Sequence, residues 1–203
     1  MQQASSGWRM TVWISAAILA AALLQYTALG GVDGIRAVIR LTARTSFVLF
    51  LAAFTASALA QIFPSPATLW LRRNRRYLGV AFAFSHLVHL IFIILFARLD
   101  PANFWVGRTP VGLIPASTTY VFIFAMAATS FDRTAKAIGS TAWKWLHWLG
   151  AYSIWISFTV AFGGRAAKSG FYIPFAALLV AALLLRIFAR FRRAKTTGSQ
   201  ATG

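Results

Sequence analysis

Six apolar runs, each close to the length that crosses a bilayer, leave this chain of 203 residues few folds to choose from. About 20 helical residues span the hydrocarbon. Backbone groups in lipid must be satisfied within the segment, so each run reads as a helix. The runs cover roughly 10–29, 41–63, 77–96, 113–131, 143–162 and 171–191. Short breaks separate them. Gly30, Gly31 and Gly34 end the first, Pro64 and Pro66 the second, Asp100-Pro101 the third and Gly163-Gly164 the fifth. The first run follows Arg9 and resembles the core of a signal peptide. It is nearer twenty residues than ten and has no clear small-x-small cleavage site, so it reads as a retained span. The expected fold class is all-α: a polytopic membrane protein built as a six-transmembrane-helix bundle. One domain is expected over 1–193, followed by a disordered cytoplasmic tail over 194–203.

Composition agrees. Hydrophobic residues make up 59% of the chain, and the acidic residues are Asp33, Asp100 and Asp132 alone. So apolar and acid-poor a composition does not suit a soluble domain. The net charge of +17 would point to nucleic acid in a soluble protein. Here the cations flank apolar runs, where they hold helix ends at the head groups, and no nucleic-acid partner is expected. The chain has no cysteine, which excludes disulfides, iron–sulfur clusters and thiolate ligands.

With the N-terminus inside, thirteen Lys and Arg fall in cytoplasmic segments and seven on the other side. That bias places both termini in the cytoplasm. The setting expected is the bacterial inner membrane.

Three histidines carry the chemistry: His86, His89 and His147, all within expected spans. An imidazole in hydrocarbon costs free energy unless something takes its hydrogen bonds or its lone pair. The plain reading is a hydrogen bond to a neighbouring helix. The functional reading is ligation of metal or haem, since helices of a bundle can offer one histidine to each face of the iron. His86 and His89 are three apart and share a helix face, so only one can fill a given axial position. Counting from the span starts, His86 lies about 13–14 Å beyond Tyr77 and His89 about 18 Å. His147 lies only about 6 Å beyond Trp143, or about 10 Å beyond Ser140. On depth alone His86 matches His147 better than His89 does.

The stretches around these histidines carry a resemblance. "RRYLGVAFAFSHLVH", with His89 ten residues after Gly79, resembles the third helix of the ferric-reductase-like transmembrane domain family. "TSFDRTAKAIGSTAWKWLHWLGAY" resembles the approach to its fifth helix, with the Trp-x-x-Leu-His pattern ending at His147. Within that family the likeness is to haem-binding membrane subunits of periplasmic methionine-sulfoxide reductase systems. It covers about residues 10–193. The resemblance implies His89 and His147 as axial ligands of one b-type haem, with His86 as the alternate to His89. It implies an oxidoreductase subunit, with FMN or quinone as further cofactors. Electrons would come from quinol or a flavin reductase and pass to a periplasmic reductase partner. The family often has another histidine thirteen residues after the one matching His147. Val160 stands there, so at most one bis-histidine haem is expected.

Arg44, Thr45 and Ser46 resemble the start of the family's second helix. Arg44 is a candidate contact for a haem propionate, and its plain reading is a snorkelling anchor. The arginines at 72–76 suit either an anionic cofactor or topology alone. Trp143, Trp145 and Trp148 suit an interfacial belt. The chain contains no glycine-rich dinucleotide fingerprint, so no nicotinamide or flavin domain of its own is expected. Two other classes compete with electron transfer. A proton-relaying transporter is weakened by the lack of acidic residues within spans. A haem-free scaffold would use the histidines structurally.

Overall fold

The computed structural model describes the backbone of residues 2–200 and the side chains of residues 6–193. The tail expected over 194–203 lies outside the residues described with side chains. About 90% of the chain is helical, and no strand occurs among the described residues. The helices are α1 (Gln2–Leu29), α2 (Gly31–Ile62), α3 (Pro66–Leu99), α4 (Pro101–Phe104), α5 (Ile114–Ala128), α6 (Asp132–Ile138), α7 (Ser140–Ala166) and α8 (Ile173–Gln200). Five stretches are long and apolar enough to cross a membrane: Ser6–Leu29, Gly31–Ile62, Pro66–Leu99, Val111–Ala128 and Gly170–Arg193. The remaining long helix, α7, has 27 residues. At 1.5 Å per residue it is about 40 Å long. It is less apolar because Lys144, His147, Ser153, Ser157 and Thr159 interrupt it.

Helix boundaries follow the sequence punctuation at Gly30, Pro64–Pro66 and Asp100-Pro101, whereas Gly31 and Gly34 lie inside α2 and Gly163-Gly164, expected to end the fifth run, lies inside α7. Ser65 caps α3 through a reciprocal pair: its Oγ accepts from the Thr68 amide at 3.2 Å, and its own amide donates to Thr68 Oγ1 at 3.0 Å. Pro66 then occupies the first turn, where its missing N–H costs nothing. The arginines at 72–76 therefore lie inside α3 and not ahead of it. Gly139 joins α6 to α7 at φ 77, ψ 160, a conformation that side chains disfavour.

Helices α2 and α3 form the most extensive pairing, and two apolar clusters flank it. One joins α1, α2, α3 and α4 through Ala22, Ile35, Val38, Val88, Phe92 and Phe104. The other joins α2, α3, α5, α7 and α8 through Phe47, Phe50, Phe82, Ile123, Phe158 and Leu179. Close approach of α5 to α7 depends on Gly150, where a Cβ would run into the Met126 sulfur. Val48, Val121, Val160, Leu184 and other large apolar side chains face outward. That is the distribution expected of a bundle whose solvent is lipid.

One end of the bundle gathers the start of α1, the arginine-bearing turns of α3 and the junction of α5 with α6. Trp8 stacks on Phe131 with ring centroids 5.0 Å apart, and Arg76 pairs with Asp132 at 2.8 Å. Helix α7 starts at this same end, so α3 and α7 run parallel.

Candidate functional site

The α3 histidines sit at the α2–α3 seam. Thr42 on α2 donates its hydroxyl proton to Val38 O at 2.7 Å, and the same oxygen lies 2.9 Å from His89 Nδ1. A threonine hydroxyl has one proton. With that proton spent on Val38, Thr42 accepts from Nδ1–H, and His89 keeps its lone pair on Nε2. One turn along, Ser46 Oγ donates to Ser85 Oγ at 2.8 Å, and Thr45 Oγ1 lies 3.0 Å from the same Ser85 oxygen. These hydroxyls lock the register of α2 on α3 within the apolar interior.

His86 lies beside His89, the two rings stacked with centroids 5.2 Å apart. It also packs against Phe82, Tyr120 and Phe158, at 5.1, 5.2 and 5.7 Å. Its Nδ1 is buried and makes no hydrogen bond. Buried polar atoms are nearly always paired, so an imidazole nitrogen without a partner in an apolar core stands out.

His147 has different company. Thr129 Oγ1 donates to Ala125 O at 2.7 Å and lies 3.2 Å from His147 Nε2. The same proton accounting makes Nε2–H the donor there. Trp143 covers one face of the ring at 4.1 Å, while its own indole N–H donates to Thr129 O at 3.0 Å. His147 is thus tied through Nε2 to Thr129 at the end of α5.

The structure brings His86 and His89 together and sets His147 apart. Along α7, Phe158, which touches His86, is eleven residues beyond His147, about 16 Å. Along α5, Tyr120, which also touches His86, is nine residues from Thr129, about 14 Å. His89 lies a further turn away. His86 is the nearer of the pair to His147 in depth, as the count from span starts anticipates, yet neither meets it. A haem ligated on both faces needs its two histidines at one depth. The His89 ring is held through Nδ1 by Thr42.

The other candidates are placed as follows. The Arg44 guanidinium lies over the Phe171 ring at 5.0 Å. Arg75 donates to Ser57 Oγ at 2.6 Å. Trp145 and Trp148 are exposed, consistent with a belt, whereas Trp143 is half-buried against His147. Thr42, Thr129 and Tyr120 are the site residues that the sequence reading missed. A threonine on an apolar helix is common, and only the pairing of helices gives it an imidazole to hold.

Fold and composition define an all-helical integral membrane protein with imidazoles in its core. The chain is similar to the protein-methionine-sulfoxide reductase heme-binding subunit MsrQ of Ralstonia nicotianae (strain ATCC BAA-1114 / GMI1000), with 28% identity over 144 residues. The match covers 68% of this chain and 64% of that protein, so the chain spans just under two thirds of its relative's length. It bears out the resemblance read from the histidine motifs. No family model and no solved structure matches the chain.

Proposed function

We propose that this protein is a haem-binding electron-transfer subunit of the bacterial inner membrane, the six-helix ferric-reductase-like domain occupying residues 1–193. It takes electrons from quinol or a flavin reductase and delivers them to a reductase partner on the outer face. The observation that carries this reading is the α3 histidine site: a His89 oriented by Thr42 beside an unpartnered His86 nitrogen, in a chain resembling a haem-binding subunit. Helix α7 is the sixth span, which puts both termini in the cytoplasm, as the basic-residue bias favours. His89 is the iron ligand, and the resemblance nominates His147 as its counterpart, with His86 as alternate. Haem b, when bound, supplies one-electron chemistry that no side chain here offers. The chain's own part is to hold that group dry in an apolar core and fix the imidazole that meets it. FMN or quinone would relay electrons to the side that a single haem does not reach.

The test is a spectrum. Protein purified from cells supplied with haem should show a Soret band that shifts on reduction. Absence of any Soret band rejects the reading and favours the haem-free scaffold. The hydrogen bonds of His89 to Thr42 and of His147 to Thr129 are what that scaffold would use.

A further inference from the structure

We infer that the arginine stripe of α2, Arg36, Arg40 and Arg44, binds the phosphodiester headgroup of an anionic phospholipid. The inference needs only the membrane location of the chain and is independent of the haem-binding reading. The three residues recur at every fourth position, so they stand one above another on a single face of the helix. All three are exposed. Among the described residues none of them meets a carboxylate, and Asp33, three residues before Arg36, is not paired with it. Two of the guanidinium groups lie over aromatic rings, Arg36 over Phe96 at 5.4 Å and Arg44 over Phe171 at 5.0 Å. Such a contact uses the flat face of the group and leaves the N–H donors at its edge for a ligand.

Depth picks out the occupant. Phe171 lies at the start of the apolar stretch Gly170–Arg193 of α8, so Arg44 sits at the level where that stretch enters the hydrocarbon. Val48, the next residue along the stripe, is 61% exposed, and Leu178 on α8 is 48% exposed. The stripe thus changes from arginine to apolar within one turn, at the level where α8 also becomes apolar. Arg40 lies about 6 Å above Arg44 along the axis, and Arg36 about 12 Å above it. The headgroup region on each side of a bilayer is about 5–7 Å deep, so Arg44 and Arg40 fall within it. Lys168, exposed and three residues ahead of Phe171, adds a cation from the connection between α7 and α8. Phosphodiesters are the anions of that layer, and a guanidinium meets phosphate through two parallel hydrogen bonds. An acidic protein could meet Arg36 from the water, but not Arg44 beneath the headgroups.

The experiment uses the full chain purified in detergent. Native mass spectrometry measures binding of phosphatidylglycerol and of phosphatidylcholine to wild type, to an Arg40→Gln/Arg44→Gln double variant and to an Arg72→Gln/Arg73→Gln double variant at the opposite end of the bundle. The expected results are preferential binding of phosphatidylglycerol by wild type, an affinity loss of about fivefold for each arginine removed from the stripe, and a smaller loss from the pair at the other end. Equal binding of the two lipids by wild type overturns the inference. So does an affinity for phosphatidylglycerol that Arg40→Gln/Arg44→Gln leaves unchanged, or that Arg72→Gln/Arg73→Gln lowers as much. Either result assigns the stripe to an acidic protein partner or to topology alone. Should the stripe variant fail to fold, Arg40→Lys/Arg44→Lys keeps the charge and gives up the paired hydrogen bonds. It should weaken phosphatidylglycerol binding and leave phosphatidylcholine binding as it was, and no weakening overturns the inference.

Discussion

The proton on Thr42 decides what His89 can do. Because Val38 O takes that proton, the threonine oxygen is left as an acceptor, and the imidazole tautomer follows. Thr42→Val keeps the shape and removes the acceptor. Outer-sphere partners of this kind are worth about 10–100-fold in metal affinity. Titration of haem into Thr42→Val protein should therefore show affinity reduced by about 10-fold or more. In stability terms the lost interhelical bond is worth only about 0.6 kcal/mol on average inside membranes, so the thermal midpoint should fall little. A large fall in the midpoint with unchanged haem affinity would assign Thr42 to packing alone. The histidines were legible in the sequence because an imidazole in an apolar run is rare and costly. Thr42 was not, since nothing in its neighbours along the chain distinguishes it from Thr45 one turn on.

At the scale of elements, glycines and arginines set the joints. Gly139 adopts a conformation that residues with a Cβ disfavour, and its position fixes where α7 begins. Gly139→Ala should cost about 1–3 kcal/mol, read as a lower thermal midpoint in detergent, with haem binding retained. Gly150→Leu acts within a helix pair. Its side chain would meet Met126 and force α5 from α7, with an overpacking cost of about 1–3 kcal/mol. Separation of α5 from α7 should also free His147 from Thr129. Arg186 ties α8 to α2, donating to Phe54 O at 2.6 Å while its guanidinium lies 4.1 Å from the Phe54 ring centroid. Arg186→Leu removes a charged hydrogen bond worth about 1.5–3 kcal/mol, and the same thermal assay should register it. Among the breaks, those at Gly30, at Pro64 and Pro66, and at Asp100-Pro101 were readable from the sequence, whereas Gly139 was not read there and Gly163-Gly164 lies inside α7. The extension of α3 through Arg72 and Arg76 was read differently, as a boundary. Arginine is a good helix former, and here only the cap at Ser65 ends the helix.

For the whole molecule the open quantity is the number of crossings. Five helices qualify on length and apolarity, and the proposal adds α7 as the sixth. Six crossings put both termini on one side, while five put them on opposite sides. Reporter fusions at the N-terminus and after Arg193 should therefore report the same side, and a fusion after Lys168 the other. Opposite signals from the two termini would remove α7 from the membrane and with it the six-helix proposal. The physical case for α7 is its position. It packs along α5 and α8 for most of its length, with Phe158 and Phe162 in the shared core. Two of its polar residues are satisfied within the protein: Ser153 lies 3.2 Å from Thr119 of α5, and Thr159 donates to its own helix at Trp155 O. A helix that satisfies its polar groups against protein needs less apolar surface than one facing lipid alone.

Local content determined that this chain is helical and lies in a membrane, because spanning length, apolarity and sparse charge are properties of each segment taken singly. The nomination of three imidazoles as the chemistry came from the same source, since the cost of placing them in hydrocarbon does not depend on what surrounds the segment. Which nitrogen of each histidine is free, and which histidines share a level, depended on how helices slide past one another. That register is set by contacts far apart in the chain: Thr42 on His89, Ser46 on Ser85, Thr129 on His147. A depth count along one helix has no common origin with the next until such contacts supply it. The spacing of three already put His86 beside His89 on α3, and only the packed bundle set His147 of α7 against Thr129 at its own depth.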